Sequence, residues 1–187
     1  AVSVTKLSDK DYIFDFGQNI SGVTELRIKG ERGMTVSLKH GEFLKDNGHV
    51  STENIDYFYH SDTLKEPFAT DIFTLGGNGD ESFRQRFGYK GFRYVEASID
   101  RPAVLDENNL TAYFVHSDIP TKGHIHTSSE IINKLWKASC YSYLSNLVGY
   151  PTDCPQREKN GWTGDTNAAM DLGFYNYDPI TVYETWM

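Results

Sequence analysis

Residues 127–150 read "TSSEIINKLWKASCYSYLSNLVGY", and here the apolar period of the chain changes from two residues to about 3.6. Thr127 and Glu130 stand at capping-box spacing, where each side chain can satisfy a free amide of a helix's first turn. Ile132, Leu135, Trp136, Ser139, Tyr143, Leu144 and Leu147 then share one helical face, and Gly149 follows where such a helix would end. Downstream, "TNAAMDLGFYNY" (166–177) reads as a second helix start, and "PITVYETWM" (179–187) as a third with Pro179 near its first turn.

Upstream of this switch the pattern is that of strands. In "VTELRIKG" (23–30), Thr24, Leu26 and Ile28 alternate with Val23, Glu25, Arg27 and Lys29. In "MTVSLKHGEFL" (34–44), Met34, Val36 and Leu38 fall on one side. "YIFDFG" (12–17), "DIFTLGG" (71–77), "SFRQRFGYKGFRYVEASI" (82–99) and "LTAYFVHS" (110–117) continue the period. Short alternating runs between Gly, Asn and Asp clusters argue for an antiparallel sandwich. The polar stretch 42–67 reads as an exposed connection between strands. Apolar helix faces after a sandwich have two explanations: they open an all-helical domain, or they cap the sheets. Periodicity leaves both open.

Composition narrows the class. With 39% hydrophobic and 24% charged residues, the 187-residue chain is of ordinary globular type, large enough for one domain or for one plus part of another. A net charge of −8 disfavours a phosphate backbone or an anionic membrane as partner. No apolar run has the length of a membrane span. The opening "AVSVTKLSDKDY" lacks a signal-peptide core, which reads as a chain that begins mid-protein or is already processed, and the compartment stays undetermined. Twelve Tyr, 11 Phe and 3 Trp suit both pleated sheets and sugar-stacking surfaces, so aromatic content does not choose between them. Cys140 and Cys154 have no CxxC spacing and read as isolated thiols.

The chemistry is concentrated in "PTDCPQREKNGWTGD" (151–165), which places Asp153, Arg157, Glu158, Lys159 and Asp165 around Trp162 in a stretch bent by Pro151, Pro155, Gly161 and Gly164. Glu158, Trp162 and Asp165 follow at spacings of four and three, compatible with one concave surface. A Trp face with several carboxylates meets the needs of a sugar, whose C–H face stacks on a ring while its hydroxyls bond to acceptors. Arg157 could hold one carboxylate ionised while burial leaves another protonated. On spacing alone, a solvated polar loop fits as well.

The whole motif resembles the signature of the inverting bacterial α-L-rhamnosidases, glycoside hydrolase family 78, in which Asp-Cys-Pro-Gln-Arg precedes Glu and then Gly-Trp-Thr-Gly-Asp. "RFGYKGFRYVEAS" (86–98) and "FDFGQNISG" (14–22) resemble the end and the beginning of the sandwich that precedes that family's catalytic barrel. The resemblance implies a concanavalin-like antiparallel β-sandwich over 1–118, a linker over 119–126, and the first helices of an incomplete (α/α)6 barrel over 127–187. It implies that Glu158 is the general acid, that Asp153, Trp162 and Asp165 bind rhamnose, and that Arg157 arranges them. Lys159 and Asn160 stand where many relatives show Arg and Leu. The family's general base would be a Glu beyond position 187, and Glu184 is not assigned that role. The implied substrates are rhamnose-containing glycosides, no cofactor or metal is implied, and the 187 residues alone should hydrolyse little or nothing. Exposed helix faces would favour self-association. The competing reading is a noncatalytic carbohydrate-binding or structural sandwich.

Other signals are weak. His124 and His126 form an HxH pair without further ligands, and "GGNGDES" (76–82) lacks the Lys and helix of a phosphate loop. Asn19 and Asn109 open glycosylation sequons, a pattern common by chance.

Overall fold

The computed structural model describes residues 1–56 and 68–187. Two compact units result, Ala1–Phe114 and Val115–Met187. The first contains β1 (Ser3–Lys6), β2 (Asp11–Lys29), β3 (Thr35–Gly41), β4 (Phe43–Leu44), β5 (Val50–Ser51), α1 (Glu53–Asp56), β6 (Thr70–Thr74), β7 (Asp80–Arg84), β8 (Lys90–Ile99) and β9 (Leu110–Phe114).

β2 organises this unit because it belongs to both layers of a sandwich. Its first half pairs antiparallel with β1 and β8, and the order continues through β3 to β6. Its second half pairs with β7 on one edge and β9 on the other. The register slips between Asp15 and Ile20, where Gly17 takes a φ of 73°, a bulge that redirects the strand from one layer to the next. Arg93 on β8 braces the bend with a bidentate pair to Asp15, both contacts at 2.9 Å. The alternation read from the sequence is realised: Thr24, Leu26 and Ile28, and likewise Met34, Val36 and Leu38, point inward, where they meet Phe14, Phe92, Val95 and Leu110.

One polar side chain sits inside this apolar layer. His40 on β3 is 1% exposed and edge-on to Phe92 at 4.9 Å. Its Nδ1 lies 3.1 Å from the Ala69 carbonyl, which can only accept, so Nδ1 carries the proton and Nε2 accepts from the Thr24 hydroxyl at 3.0 Å. Burial penalises the imidazolium and pushes its pKa down to about 4, helped by the Lys90 ammonium and opposed by Asp71.

Of the stretch 42–67, the described part, residues 42–56, departs from the exposed connection expected of it. β4 and β5 form a small hairpin, and Val50, Thr52 and Ile55 are buried. Val50 and Ile55, spaced too irregularly for either period, anchor residues 50–55 in the sandwich unit; residues 57–67 lie outside the described residues.

The second unit contains α2 (Glu130–Ser145), β10 (Leu147–Val148), β11 (Tyr150–Pro151), α3 (Thr163–Asn176) and α4 (Ile180–Trp186). Three details differ from the sequence reading. The start of α2 is stapled by Asn133, not by Glu130: Thr127 N–H donates to Asn133 Oδ1 at 2.8 Å, and Asn133 Nδ2 returns a bond to the Thr127 carbonyl at 2.9 Å. Glu130 turns instead to Lys134, one helical turn on. Helix α2 ends at Ser145, so that Leu147 enters the β10–β11 hairpin and Gly149, at φ 82°, forms its tight turn. Finally, only the C-terminal half of the apolar stripe is covered. Cys140, Tyr143 and Leu147 are buried with Tyr177, Ala169, Leu172 and Val182, whereas Ile132 and Leu135 are 48% and 61% exposed.

Contacts far apart in sequence close this second core. Trp136 Nε1 donates to Asn176 Oδ1 at 2.8 Å, and the Tyr143 and Tyr183 hydroxyls meet at 3.0 Å. Gly173 lets the Tyr143 ring lie against α3, since a Cβ there would sit 2.6 Å from Tyr143 Cζ. The stretch before α2 is held to this core as well: Ser117 bonds to Leu147, and Lys122 and Gly123 to the Asn176 carbonyl. His124, half of the HxH pair, packs edge-on against Trp136 at 4.8 Å.

Candidate active site

The loop between β11 and α3 is bent by prolines and glycines and then closed upon itself. Asp153 N–H donates to the Asn160 carbonyl at 3.0 Å, and Asn160 N–H returns a bond to Asp153 Oδ1 at 2.9 Å. Lys159 adopts a φ of 55°, a left-handed conformation that an L-residue rarely takes, and its carbonyl accepts from the Tyr150 hydroxyl at 3.0 Å. Locking both ends of the excursion turns its side chains toward one another. The cause is local: the residues from 153 to 160 make their own ring of backbone and side-chain bonds.

Within the ring, Glu158 is the centre. Trp162 Nε1 donates to its Oε2 at 3.2 Å, and the Arg157 guanidinium approaches its Oε1 at 3.4 Å. The Arg157 and Glu158 side chains are each 32% exposed, so this ion pair is neither fully solvated nor sealed. Trp162 is 54% exposed and caps α3, whose first turn carries Asp165. The indole therefore fastens its N–H edge to a carboxylate while part of its face stays open to a ligand. Thr166 fixes the start of α3 by donating its backbone N–H and its hydroxyl to the Trp162 carbonyl, each at 3.1 Å.

Asp153 and Asp165 line a neighbouring cleft of about 360 Å³ with Asn146, Thr152, Tyr143 and Tyr183. Asp165 is exposed, and its carboxylate makes no hydrogen bond or ion pair among the described residues, which leaves both its oxygens available. Tyr143 sits deep in this cleft; burial and the Tyr183 hydroxyl push its phenol far above the usual range, so it serves as a hydrogen-bonding group and not as a base.

The five residues singled out in the sequence thus fall into two groups. Arg157 and Trp162 each touch Glu158, while Asp153 and Asp165 share the cleft. Sequence reading missed what joins them. Cys154, read as an isolated thiol, donates its S–H to Asp153 Oδ2 at 3.1 Å and accepts the Glu158 amide at 3.3 Å. Asn160, noted only as a departure, closes the ring. The available signal was position: Cys154 sits beside one candidate and four residues before another.

Both units match known proteins. The concanavalin-like domain of bacterial α-L-rhamnosidases matches residues 5–116, and the six-hairpin glycosidase domain of the same enzymes matches 120–187. The chain belongs to the bacterial α-L-rhamnosidase family. Its antiparallel sandwich is followed by the start of that family's helical barrel. It is 32% identical over 188 residues to an α-L-rhamnosidase of Streptomyces avermitilis and 33% identical over 189 residues to one of Formosa agariphila. It covers 17% and 19% of those proteins, while they cover 100% and 99% of it. Among solved structures, the Streptomyces avermitilis α-L-rhamnosidase complexed with L-rhamnose superposes with a TM-score of 0.87 over 100% of this chain and 17% of that one, at 32% identity. That of Dictyoglumus thermophilum gives 0.83 over 96% of this chain and 20% of that one, also at 32% identity. The chain therefore spans about a fifth or less of the length of these relatives.

Proposed function

We propose that these residues supply the acid half of an α-L-rhamnosidase site, acting within a longer polypeptide on rhamnose-containing glycosides. Glu158 is the general acid, Asp153, Trp162 and Asp165 hold the sugar, and Arg157 orients the acid. The observation that carries this reading is the placement of Glu158: a partly open carboxyl whose Oε2 is held by an indole N–H at 3.2 Å and whose Oε1 has a longer contact to Arg157.

Chemistry follows from that geometry. Trp162 and Arg157 are both donors only, but the indole holds Oε2 at 3.2 Å whereas the guanidinium reaches Oε1 at 3.4 Å, so Oε1 is the oxygen less committed as an acceptor and the one assigned to carry the proton. With the rhamnose ring against the open Trp162 face and its hydroxyls bonded to Asp153 and Asp165, that proton passes to the glycosidic oxygen as the C–O bond breaks. Inversion requires a second carboxylate across the ring, roughly 6.5 to 9.5 Å away, to deprotonate the attacking water. We assign that base to sequence outside these 187 residues, and expect the chain by itself to turn over little or no rhamnoside. A carbon-rich sugar face on an indole and hydroxyls on carboxylate acceptors suit a neutral deoxy sugar, as does the net charge of −8, which repels nucleic acids and anionic membranes. Among the described residues no helix is long and apolar enough to cross a membrane.

The test is Glu158→Gln in the full-length polypeptide. Losing the proton donor should cut kcat on methyl α-L-rhamnoside by about 100-fold or more, and should spare 4-nitrophenyl α-L-rhamnoside, whose leaving group departs without protonation. Equal losses on both substrates would reject the assignment, as would turnover by residues 1–187 alone.

A further inference from the structure

A thiol stands between the two groups of site residues, and nothing in the proposed chemistry uses it. Cys154 faces Asp153 Oδ2 at 3.1 Å and the Glu158 amide at 3.3 Å. Its surroundings explain why sulfur is there. Asp153 Oδ1 is already engaged by the Asn160 amide, so a weak donor to Oδ2 completes the orientation of that carboxylate and leaves its remaining lone pairs for a ligand. The same sulfur takes up the Glu158 amide, an N–H that a loop of this tightness would otherwise leave without a protein acceptor. One atom thereby sets the rotamer of one site carboxylate and the backbone position of the other. The second free cysteine, Cys140, lies away from the site, in the core of the helical unit against Tyr143 and Tyr177.

We propose that Cys154 is a positioning residue of the rhamnosidase site, which couples the sugar-binding Asp153 to the acid Glu158 through its two hydrogen bonds. The proposal rests on the acid role of Glu158 given above. It makes the hydrogen-bonding capacity of the side chain decisive and its apolar volume secondary. A hydroxyl keeps both bonds and an alkyl group of similar size keeps neither.

The experiment compares Cys154→Ser with Cys154→Val in the full-length polypeptide, using methyl and 4-nitrophenyl α-L-rhamnosides. A partial loss of folded protein in the valine variant does not blur the outcome, because the two substrates report on the same molecules. Cys154→Val should raise KM for both by about tenfold, through Asp153, and lower kcat about tenfold further on the methyl glycoside alone, through Glu158. Cys154→Ser should stay within about threefold of the parent in both constants. The reverse order, with valine tolerated and serine damaging, would show a packing role and overturn the proposal; so would a valine variant that loses kcat equally on both substrates, or a serine variant that fails to fold. Should Cys154→Val fail to fold, Cys154→Ala takes its place with the same expected split. Glu158→Gln runs in parallel: if it shows no preference between the substrates, the acid assignment falls and takes this proposal with it, whereas a selective Glu158→Gln beside an unselective Cys154→Val sinks the thiol alone.

Discussion

Acidification should loosen the sandwich through one residue, His40, before its carboxylates protonate. The imidazole is 1% exposed, its two nitrogens are committed to Ala69 and Thr24, and burial holds its pKa down to about 4 against 6.5 in an unfolded chain. The sign follows from proton counting. Above pH 6.5 the ring is neutral in both states and stability does not depend on it; between 6.5 and 4 only the unfolded chain binds the proton, so stability falls as pH falls; below 4 both are charged and the loss levels off. With about 1.36 kcal/mol per pKa unit, the loss is about 2 kcal/mol at pH 5 and about 3 kcal/mol at pH 4. Asp11, Asp15 and Glu25 are all held below the ordinary carboxylate range, chiefly by side-chain hydrogen bonds to Ser8, Arg93 and Arg27, so their protonation acts at the acid end of this window. The assay is urea unfolding followed by the sheet signal in circular dichroism, at steps from about pH 7 to 4.5, for the parent and for His40→Gln. The variant should be less stable at neutral pH, since a glutamine cannot reproduce both bonds, yet its pH slope should be flatter by one proton. Parallel slopes for the two proteins, or an NMR titration of His40 near 6.5, would refute the reasoning.

Two further outcomes are expected. Gly173→Ala should destabilise the helical unit by about 1–2 kcal/mol despite the better helix propensity of alanine, because the new Cβ would overlap the buried Tyr143 ring; tryptophan fluorescence reads it, as all three tryptophans lie in that unit. Residues 1–187 alone should associate with rising concentration through the exposed Ile131, Ile132 and Leu135 on α2, and Leu135→Lys should lower the light-scattering mass at a given concentration.

How much of this could be read beforehand depended on how far apart in sequence the deciding contacts lie. The strands were legible because period-two alternation is written into each one: Leu26 and Ile28, or Val36 and Leu38, reach the core whatever their partners are. The site cluster was legible for a related reason. Arg157, Glu158 and Trp162 meet within six positions, and a self-closing loop brings such neighbours together with no help from the rest of the fold. What stayed hidden needed either distant partners or a choice among equals. The end of α2 is fixed both by the local β10–β11 pairing and by the distant Ser117, whose amide donates to the Leu147 carbonyl and whose hydroxyl accepts from the Gly149 amide. Trp136 finds Asn176 and Tyr143 finds Tyr183 only once three helices are packed, each pair 40 residues apart. The capping box failed differently: Thr127 could engage Glu130 or Asn133, and the amide wins because it can both accept from the Thr127 N–H and donate to its carbonyl, which a carboxylate cannot do. Cys154 is the instructive case, since its bonds are as local as those of Glu158. A cysteine in a sequence signals a metal ligand, a redox partner or an inert thiol well before it signals a hydrogen-bonding residue. In a loop closed by its own bonds, that weak capacity finds one partner in the adjacent Asp153 and another in the Glu158 amide four residues on.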